Sequence, residues 1–96
     1  MNRLVLTASL VEIAPLRYTP AGLGAADVFL EHESELQEAG VNRLVKASLR
    51  GRALGELAEK IIKLPLGSRC EFEGFLASPR NSRSVVFHLT QFHQIS

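Results

Sequence analysis

The sequence predicts an all-β fold with one short helix, from three observations. Apolar and polar residues alternate at period two in four segments, as in strands that bury one face, and a fifth apolar segment, residues 85–95, follows them. Only residues 52–63 repeat apolar residues at helical spacing. The chain has 96 residues, 46% of them hydrophobic, which is enough for one core. We therefore expect one domain that spans residues 1–96.

The first two strands are predicted on either side of a turn. In the first strand, the inward face is formed by Leu4, Leu6, Ala8 and Leu10. In the second, Ala26, Val28 and Leu30 point inward. Phe29 lies with the charged residues of the opposite face. Either a partner covers this ring at a subunit contact, which the pattern favours, or the ring is available for stacking.

The third strand is predicted at Val41–Arg50, after a polar loop at residues 34–40. Lys46 and Arg50 point outward from this strand, about 13 Å apart at four residues of strand rise. Arg43 lies on the inward face, near one end of the strand. That face is formed by Val41, Arg43, Val45, Ala47 and Leu49.

The helix is predicted at residues 52–63, because Leu54, Leu57, Ala58 and Ile61 recur at helical spacing. Pro65 then ends it. A fourth strand follows at residues 68–77, with Cys70, Phe72, Gly74 and Leu76 inward and a bulge or bend at Gly74. One helix between the third and fourth strands is the arrangement of the OB fold, a five-stranded Greek-key barrel whose end the helix closes.

Composition limits the possible functions. The net charge of +1 is not that of a typical nucleic-acid binder, but five acids fall within residues 27–38 and four bases within residues 40–52. A single cysteine, Cys70, excludes an internal disulfide and fits a reducing compartment. No apolar run reaches the roughly 20 residues of a membrane span, and no secretory signal is evident. We expect a cytoplasmic protein.

Catalytic signatures are lacking in the sequence. It has no glycine-rich phosphate loop, no Gly-x-Ser-x-Gly and no Cys-x-x-Cys. His88 and His93 fall on opposite faces of one strand and cannot converge locally on a metal. Glu71 and Glu73 share a face, and we interpret them as solvated side chains beside Arg69. The sequence therefore predicts no enzyme, no cofactor and no metal site.

Two sequence segments carry a family resemblance. An Asn-Arg-hydrophobic strand leads into Arg17-Tyr18-Thr19-Pro20-Ala21-Gly22, and the chain thereby resembles bacterial single-stranded-DNA-binding proteins of the OB-fold type. Residues 30–34, Leu-Glu-His-Glu-Ser, and residues 37–40, Gln-Glu-Ala-Gly, are more similar to the primosomal replication protein N family, short relatives of those proteins. The resemblance covers most of the chain and is strongest over residues 2–40.

The resemblance implies a homodimer that binds single-stranded DNA, contacts the PriA helicase and other primosome proteins, and assists replication restart. OB folds receive single strands across the second and third strands, between the loops that join strands one to two and four to five. Cations there neutralise phosphates, and aromatic rings add stacking of roughly 1–3 kcal/mol per base. The candidate binding residues are Arg17, Tyr18, Arg43, Lys46, Arg50, Arg80 and Arg83.

Some departures from the family pattern bear on how the chain would bind. Family members with firm DNA binding carry an exposed aromatic about where Lys46 stands and a base about where Glu33 stands. We therefore expect salt-sensitive binding that depends on charge more than on stacking. Tyr18 either packs on the barrel wall or stacks. Two alternatives stay open: an adaptor that docks proteins through its acidic run, residues 31–38, and an RNA-binding OB module.

Overall fold

Six β-strands and one helix make up the computed structural model, which describes residues 1–95. Five of the strands correspond to the five that the sequence predicts. The sixth, β2, adds two residues to the edge of β3. The elements are β1 Leu4–Ile13, β2 Arg17–Tyr18, β3 Gly24–Glu38, β4 Val41–Leu54, α1 Glu56–Ile61, β5 Arg69–Ala77 and β6 Val86–Gln94.

The strands form one closed sheet. Their order is β1-β5-β6-β4-β3-β2, and an additional pairing between β1 and β3 closes the ring. All pairings are antiparallel except β4 with β6, which run parallel through Gly51 opposite Phe87 and Arg52 opposite His88. This is a Greek-key barrel of the OB type, so the predicted fold class is confirmed.

The barrel interior contains the predicted inward faces of the first, second and fourth strands. Ala8, Leu10, Val28, Leu30 and Phe72 are all at most 3% exposed. Ala58 and Ile61 of α1 pack against the same core. The predicted irregularity at Gly74 is also present, as a register shift between β5 and β6. Only glycine fits there, because a Cβ atom would overlap the backbone carbonyl of His88.

The loop predicted at residues 34–40 is wrong, because β3 continues through it to Glu38. Ala39 and Gly40 make a two-residue turn with φ values of 53° and 77°, the pattern of a type I′ hairpin. Residues 32–38 and 41–47 then form a two-stranded extension beyond the barrel, here called the ribbon. Of the five third-strand residues expected inside the barrel, only Leu49 packs against the core. The other four, Arg43 included, lie in the ribbon.

The predicted start of the helix is also wrong. β4 extends to Leu54, and α1 begins at Glu56 after Gly55, whose φ is 68°. Arg52, expected as the first helical residue, is a strand residue opposite Asp27. Pairing with β3 and β6 holds residues 51–54 in the sheet, and helical spacing over so short a segment does not outweigh those hydrogen bonds.

Candidate nucleic-acid interface

The outer face of the barrel between β3 and β4 brings an aromatic ring and two arginines together. Directly opposed residues of antiparallel strands share a face, so Phe29 lies beside Arg50 and Asp27 beside Arg52. The Arg50 guanidinium carbon is 5.6 Å from the centre of the Phe29 ring, a cation–π distance. Phe29 remains 37% exposed. A flat apolar surface next to a cation suits a base and its phosphate.

A third arginine reaches the same face from β2. Asp27 accepts hydrogen bonds from Arg17 Nε at 3.0 Å and from Arg52 Nε at 2.9 Å. Partial burial raises the pKa of Asp27, but the bonds and charges of the two arginines outweigh it and hold this pKa below its usual range. The carboxylate is therefore ionised at neutral pH and keeps both guanidinium groups in place.

His88 and Phe75 continue this face across β6 and β5. His88 lies next to Arg52 in the sheet, and its ring stacks on Phe75 with centroids 5.0 Å apart. Partial burial lowers the pKa of His88, and the Arg52 charge lowers it further. The imidazole is thus held neutral at pH 7 and adds a flat ring rather than a cation.

The loop between β5 and β6 borders the same surface. A shallow pocket of about 240 Å³ lies between Phe29 and Arg50 on one side and Ser84 and Val85 on the other. Arg80 and Arg83 are exposed residues of this loop. At the opposite loop, Tyr18 next to Arg17 is 66% exposed, so its ring is not packed into the barrel wall.

Lys46 lies further along the outer face, in a different setting. It borders an open groove of about 550 Å³ at the base of the ribbon, with Glu31, Glu33 and Arg69. Glu33 is its direct cross-strand neighbour. His32 lines the groove as well, its ring between the Thr7 carbonyl at 2.6 Å and the Ser34 hydroxyl at 2.8 Å. Charges of both signs therefore line this groove.

The candidate residues thus divide into groups. Arg17 and Arg50 share the barrel face, and Tyr18 lies beside Arg17 in β2. Arg80 and Arg83 lie in the loop between β5 and β6, and Lys46 lies in the ribbon, near its base. Arg43 is separate: it is on the opposite face and pairs with Glu38 near the ribbon tip. Sequence reasoning did not include Arg52 and Phe29 among the site residues. The period-two spacing of Arg50 and Arg52, continued from the third strand, was the signal for Arg52.

Metal binding and thiol or carboxylate chemistry have no assembled site in the part of the chain that the structure describes. No three His, Cys, Asp or Glu side chains within residues 1–95 are placed to hold a metal. Cys70 is buried, and burial raises the pKa of its thiol. Glu73 is bound by Arg3 at 3.0 Å. Within the same residues, no helix has the length and apolar character for a membrane crossing.

Comparison with known proteins gives consistent matches along the chain. A family model described as "another single-strand binding protein family" matches residues 2–91. The replication restart protein PriB of Bordetella pertussis is 43% identical over 100% of this chain and 91% of its own length. The PriB of Nitrosomonas europaea is 39% identical over 92% of this chain and 82% of its own.

Solved structures give the same result for the fold. The structure of PriB from Ralstonia solanacearum superposes with a TM-score of 0.89 at 33% identity, covering 98% of this chain and 97% of that one. The single-stranded DNA binding protein of Thermus aquaticus gives a TM-score of 0.80 at 26% identity, over 100% of this chain and 50% of that one. The chain therefore belongs to the single-strand binding protein family, in the branch of the PriB replication restart proteins.

Proposed function

We propose that this protein binds single-stranded DNA across the outer face of β3 and β4, between residues 14–23 and residues 78–85. The observation that carries the proposal is that one barrel face holds Arg50 against the exposed ring of Phe29 and, beside it, Arg17 and Arg52 bonded to Asp27. The names of its relatives, replication restart and single-stranded DNA binding proteins, support it further. Membership in this family also supports a binding protein rather than an enzyme.

The contacts predict how a strand would be bound. Guanidinium groups neutralise phosphates and release counterions, which provides affinity without sequence preference. Phe29, the Phe75–His88 stack and Tyr18 of β2 offer few flat surfaces for bases, so stacking adds a smaller share. Carboxylates on the same sheet, Glu31 and Glu33, oppose the approach of phosphates. We expect weak to moderate binding that falls steeply as salt rises.

The proposed setting is replication restart in the cytoplasm, with a homodimer that contacts the PriA helicase and other primosome proteins. Within residues 1–95, one edge of β1 over residues 4–8 has no strand partner, and the same is true of the β4 edge over residues 41–50. Residues 4–8 carry no charge, so they suit pairing with a second copy better than the charged ribbon does. A dimer doubles the cationic surface and raises the effective affinity for a long strand.

Titration of a labelled oligothymidylate at several salt concentrations tests the DNA proposal. The logarithm of the affinity should fall linearly with the logarithm of the salt concentration, by about 0.7 per phosphate contact. Binding that is indifferent to salt contradicts the charge-based mechanism, and no binding at low salt contradicts the function. A matched RNA strand is the comparison that tests the RNA-binding alternative, which requires the RNA to bind more tightly.

An adaptor that docks other proteins is the second candidate. The ribbon favours it, because it projects from the barrel with Glu33 and Glu35 on one face and exposed Leu36 and Val41 on the other. Alanine substitution of Arg17, Arg50 and Arg52 together separates the two functions. If stimulation of the helicase survives in this variant while DNA binding is lost, the protein acts as an adaptor.

A further inference from the structure

The Arg17–Asp27–Arg52 cluster places a carboxylate in the middle of the surface that we propose for an anionic polymer. Electrostatics alone predicts that Asp27 weakens binding there, because its negative charge repels phosphates. The geometry of the cluster indicates the opposite. Both arginines bond Asp27 through Nε, at 3.0 Å and 2.9 Å. Among the described residues, neither guanidinium donates another side-chain hydrogen bond. The Nη groups, which form the fork that binds oxyanions, are therefore left for a ligand.

The cluster is also held firmly at its base. Arg52 and Asp27 are directly opposed in the β3–β4 ladder, and Arg17 is anchored by the pairing of β2 with β3. The side chains of Asp27 and Arg52 are 25% and 31% exposed, so both are partly withdrawn from solvent. A free arginine loses side-chain entropy when it binds a phosphate, and an arginine already fixed by a carboxylate has lost most of it.

We infer that Arg17 and Arg52 form one phosphodiester-binding site and that Asp27 is its positioning residue. Asp27 fixes the two guanidinium groups side by side with their Nη atoms outward, and a backbone phosphate of the bound strand bridges them. The site keeps a net positive charge, because two cations surround one anion. This inference rests on the proposed function, since the ligand is the single-stranded DNA of that proposal.

The test is to remove the carboxylate and ask whether binding improves or weakens. Asp27→Asn adds one positive charge to the protein, and an oligothymidylate of about 16 nucleotides covers one barrel. If Asp27 positions the arginines, affinity falls by about fivefold. The slope of log affinity against log salt concentration also becomes shallower by about 0.7, because one phosphate contact is lost. If Asp27 only repels phosphates, the variant binds more tightly with an unchanged or steeper salt dependence, and the inference is overturned.

A matched control is available four residues along the same strand. Glu31 lies on the same outer face, opposite Ser48, and accepts no side-chain hydrogen bond within residues 1–95. Glu31→Gln makes the same change in charge as Asp27→Asn without touching the cluster. It should bind slightly more tightly than the wild type. If the two variants change affinity in the same direction, Asp27 has no positioning role.

Two conservative variants complete the design. Asp27→Glu keeps the charge of the wild type and restores an acceptor, so it should bind more tightly than Asp27→Asn. Arg17→Lys keeps the positive charge but removes the planar fork, and it should weaken binding about threefold even if Asp27→Asn does not fold. Affinity unchanged in Arg17→Lys contradicts the site. Failure of the wild type to bind any strand contradicts the proposed function itself, whereas tighter binding by Asp27→Asn contradicts only the inference.

Discussion

One continuous ladder pairs the β3–β4 hairpin, from Ala25 opposite Leu54 to Glu38 opposite Val41, but its two halves differ in burial and in charge. The barrel half comprises residues 25–31 and 48–54, and the ribbon half comprises residues 32–38 and 41–47. The barrel half packs its inner face against the core, with only Leu49 partly exposed, and carries Arg50 and Arg52 outside. In the ribbon half the inner face is mostly exposed within residues 1–95, with His32 held against the Thr7 carbonyl at its base, and the outer face carries Glu33 and Glu35 with one cation, Lys46. Backbone pairing therefore determines where the strands run, and burial determines which half contributes to stability. Charge then separates the surface suited to DNA from the surface suited to protein.

Two leucines on the same face of β3 test the difference in stability most strongly. Leu30 is 1% exposed in the barrel half and Leu36 is 58% exposed in the ribbon half. Leu30→Ala should lower the free energy of unfolding by about 3 kcal/mol, because it leaves a cavity in the core. Leu36→Ala should change it by less than about 0.5 kcal/mol. Urea denaturation of both variants measures these values. An equal loss in free energy of unfolding for Leu36→Ala would mean that a second copy of the chain covers the ribbon in solution.

Two arginines of β4 test the difference in charge. Arg50→Ala removes the cation beside Phe29 and should weaken binding of an oligothymidylate by about fivefold, with a shallower salt dependence. Arg43→Ala should change the affinity less than about twofold, because Arg43 lies on the opposite face and is already paired with Glu38. Fluorescence anisotropy at two salt concentrations measures the affinity of each variant and its salt dependence. Equal losses of affinity for the two variants would mean that the bound DNA runs along the ribbon rather than across the barrel.

Two ion pairs of the hairpin test how burial affects pH dependence. The pKa of Asp27 is below its ordinary value of about 3.8, so its pairing stabilises the fold above that pH and is lost as the pH falls through the folded-state value. The wild type should be more stable than Asp27→Asn by about 1 kcal/mol at pH 6, and the difference should shrink below about pH 4.

The control for this prediction is Glu38→Gln at the exposed pair with Arg43. We expect this variant to have nearly the stability of the wild type at pH 6, because exposed pairs contribute little. Thermal denaturation across the pH range measures both differences. If the advantage over Asp27→Asn persists unchanged at pH 3, hydrogen bonding to the neutral side chain, rather than charge, stabilises the cluster.

The ribbon turn gives the smallest expected effect. Ala39 adopts a φ of 53°, which asparagine tolerates better than alanine does. Ala39→Asn should therefore raise the free energy of unfolding by about 0.5 kcal/mol and slow amide exchange in residues 34–45. Amide exchange rates of the barrel half serve as the internal reference. If exchange slows equally in both halves, the ribbon unfolds together with the barrel rather than independently.

The barrel half could be predicted from the sequence, because its residues obey a local rule. Alternation of apolar and polar residues identified the inward faces containing Leu10, Val28 and Phe72, all of which are buried. The ribbon could be predicted only in part. Residues 41–47 alternate and were predicted as a strand, although the face expected inside the barrel lies outside it. Residues 34–38 have no buried face, so their glutamates have the composition of a loop. What makes them a strand is a partner on the other side of a turn, and this pairing is not encoded in local periodicity.

The site was predictable only in part, for a related reason. Arg17, Arg50 and the loop arginines follow from where an OB fold places its loops and central strands. Arg52 was assigned to the helix, because its neighbours have helical spacing and its partners, Asp27 and His88, are distant in sequence. The two hydrogen bonds at Asp27 depend on side-chain geometry across three strands, which no pattern within one strand can specify.

The open edges of the ribbon have a consequence for solubility. A two-stranded segment with unpaired backbone groups on both sides is a template for fibre growth. Here, in-register stacking of copies would bring the carboxylates of Glu33 and Glu35 against their counterparts in the next molecule. Mutual repulsion opposes that stacking. The same glutamates that oppose DNA binding at this end of the hairpin thus protect the protein from aggregation at high concentration.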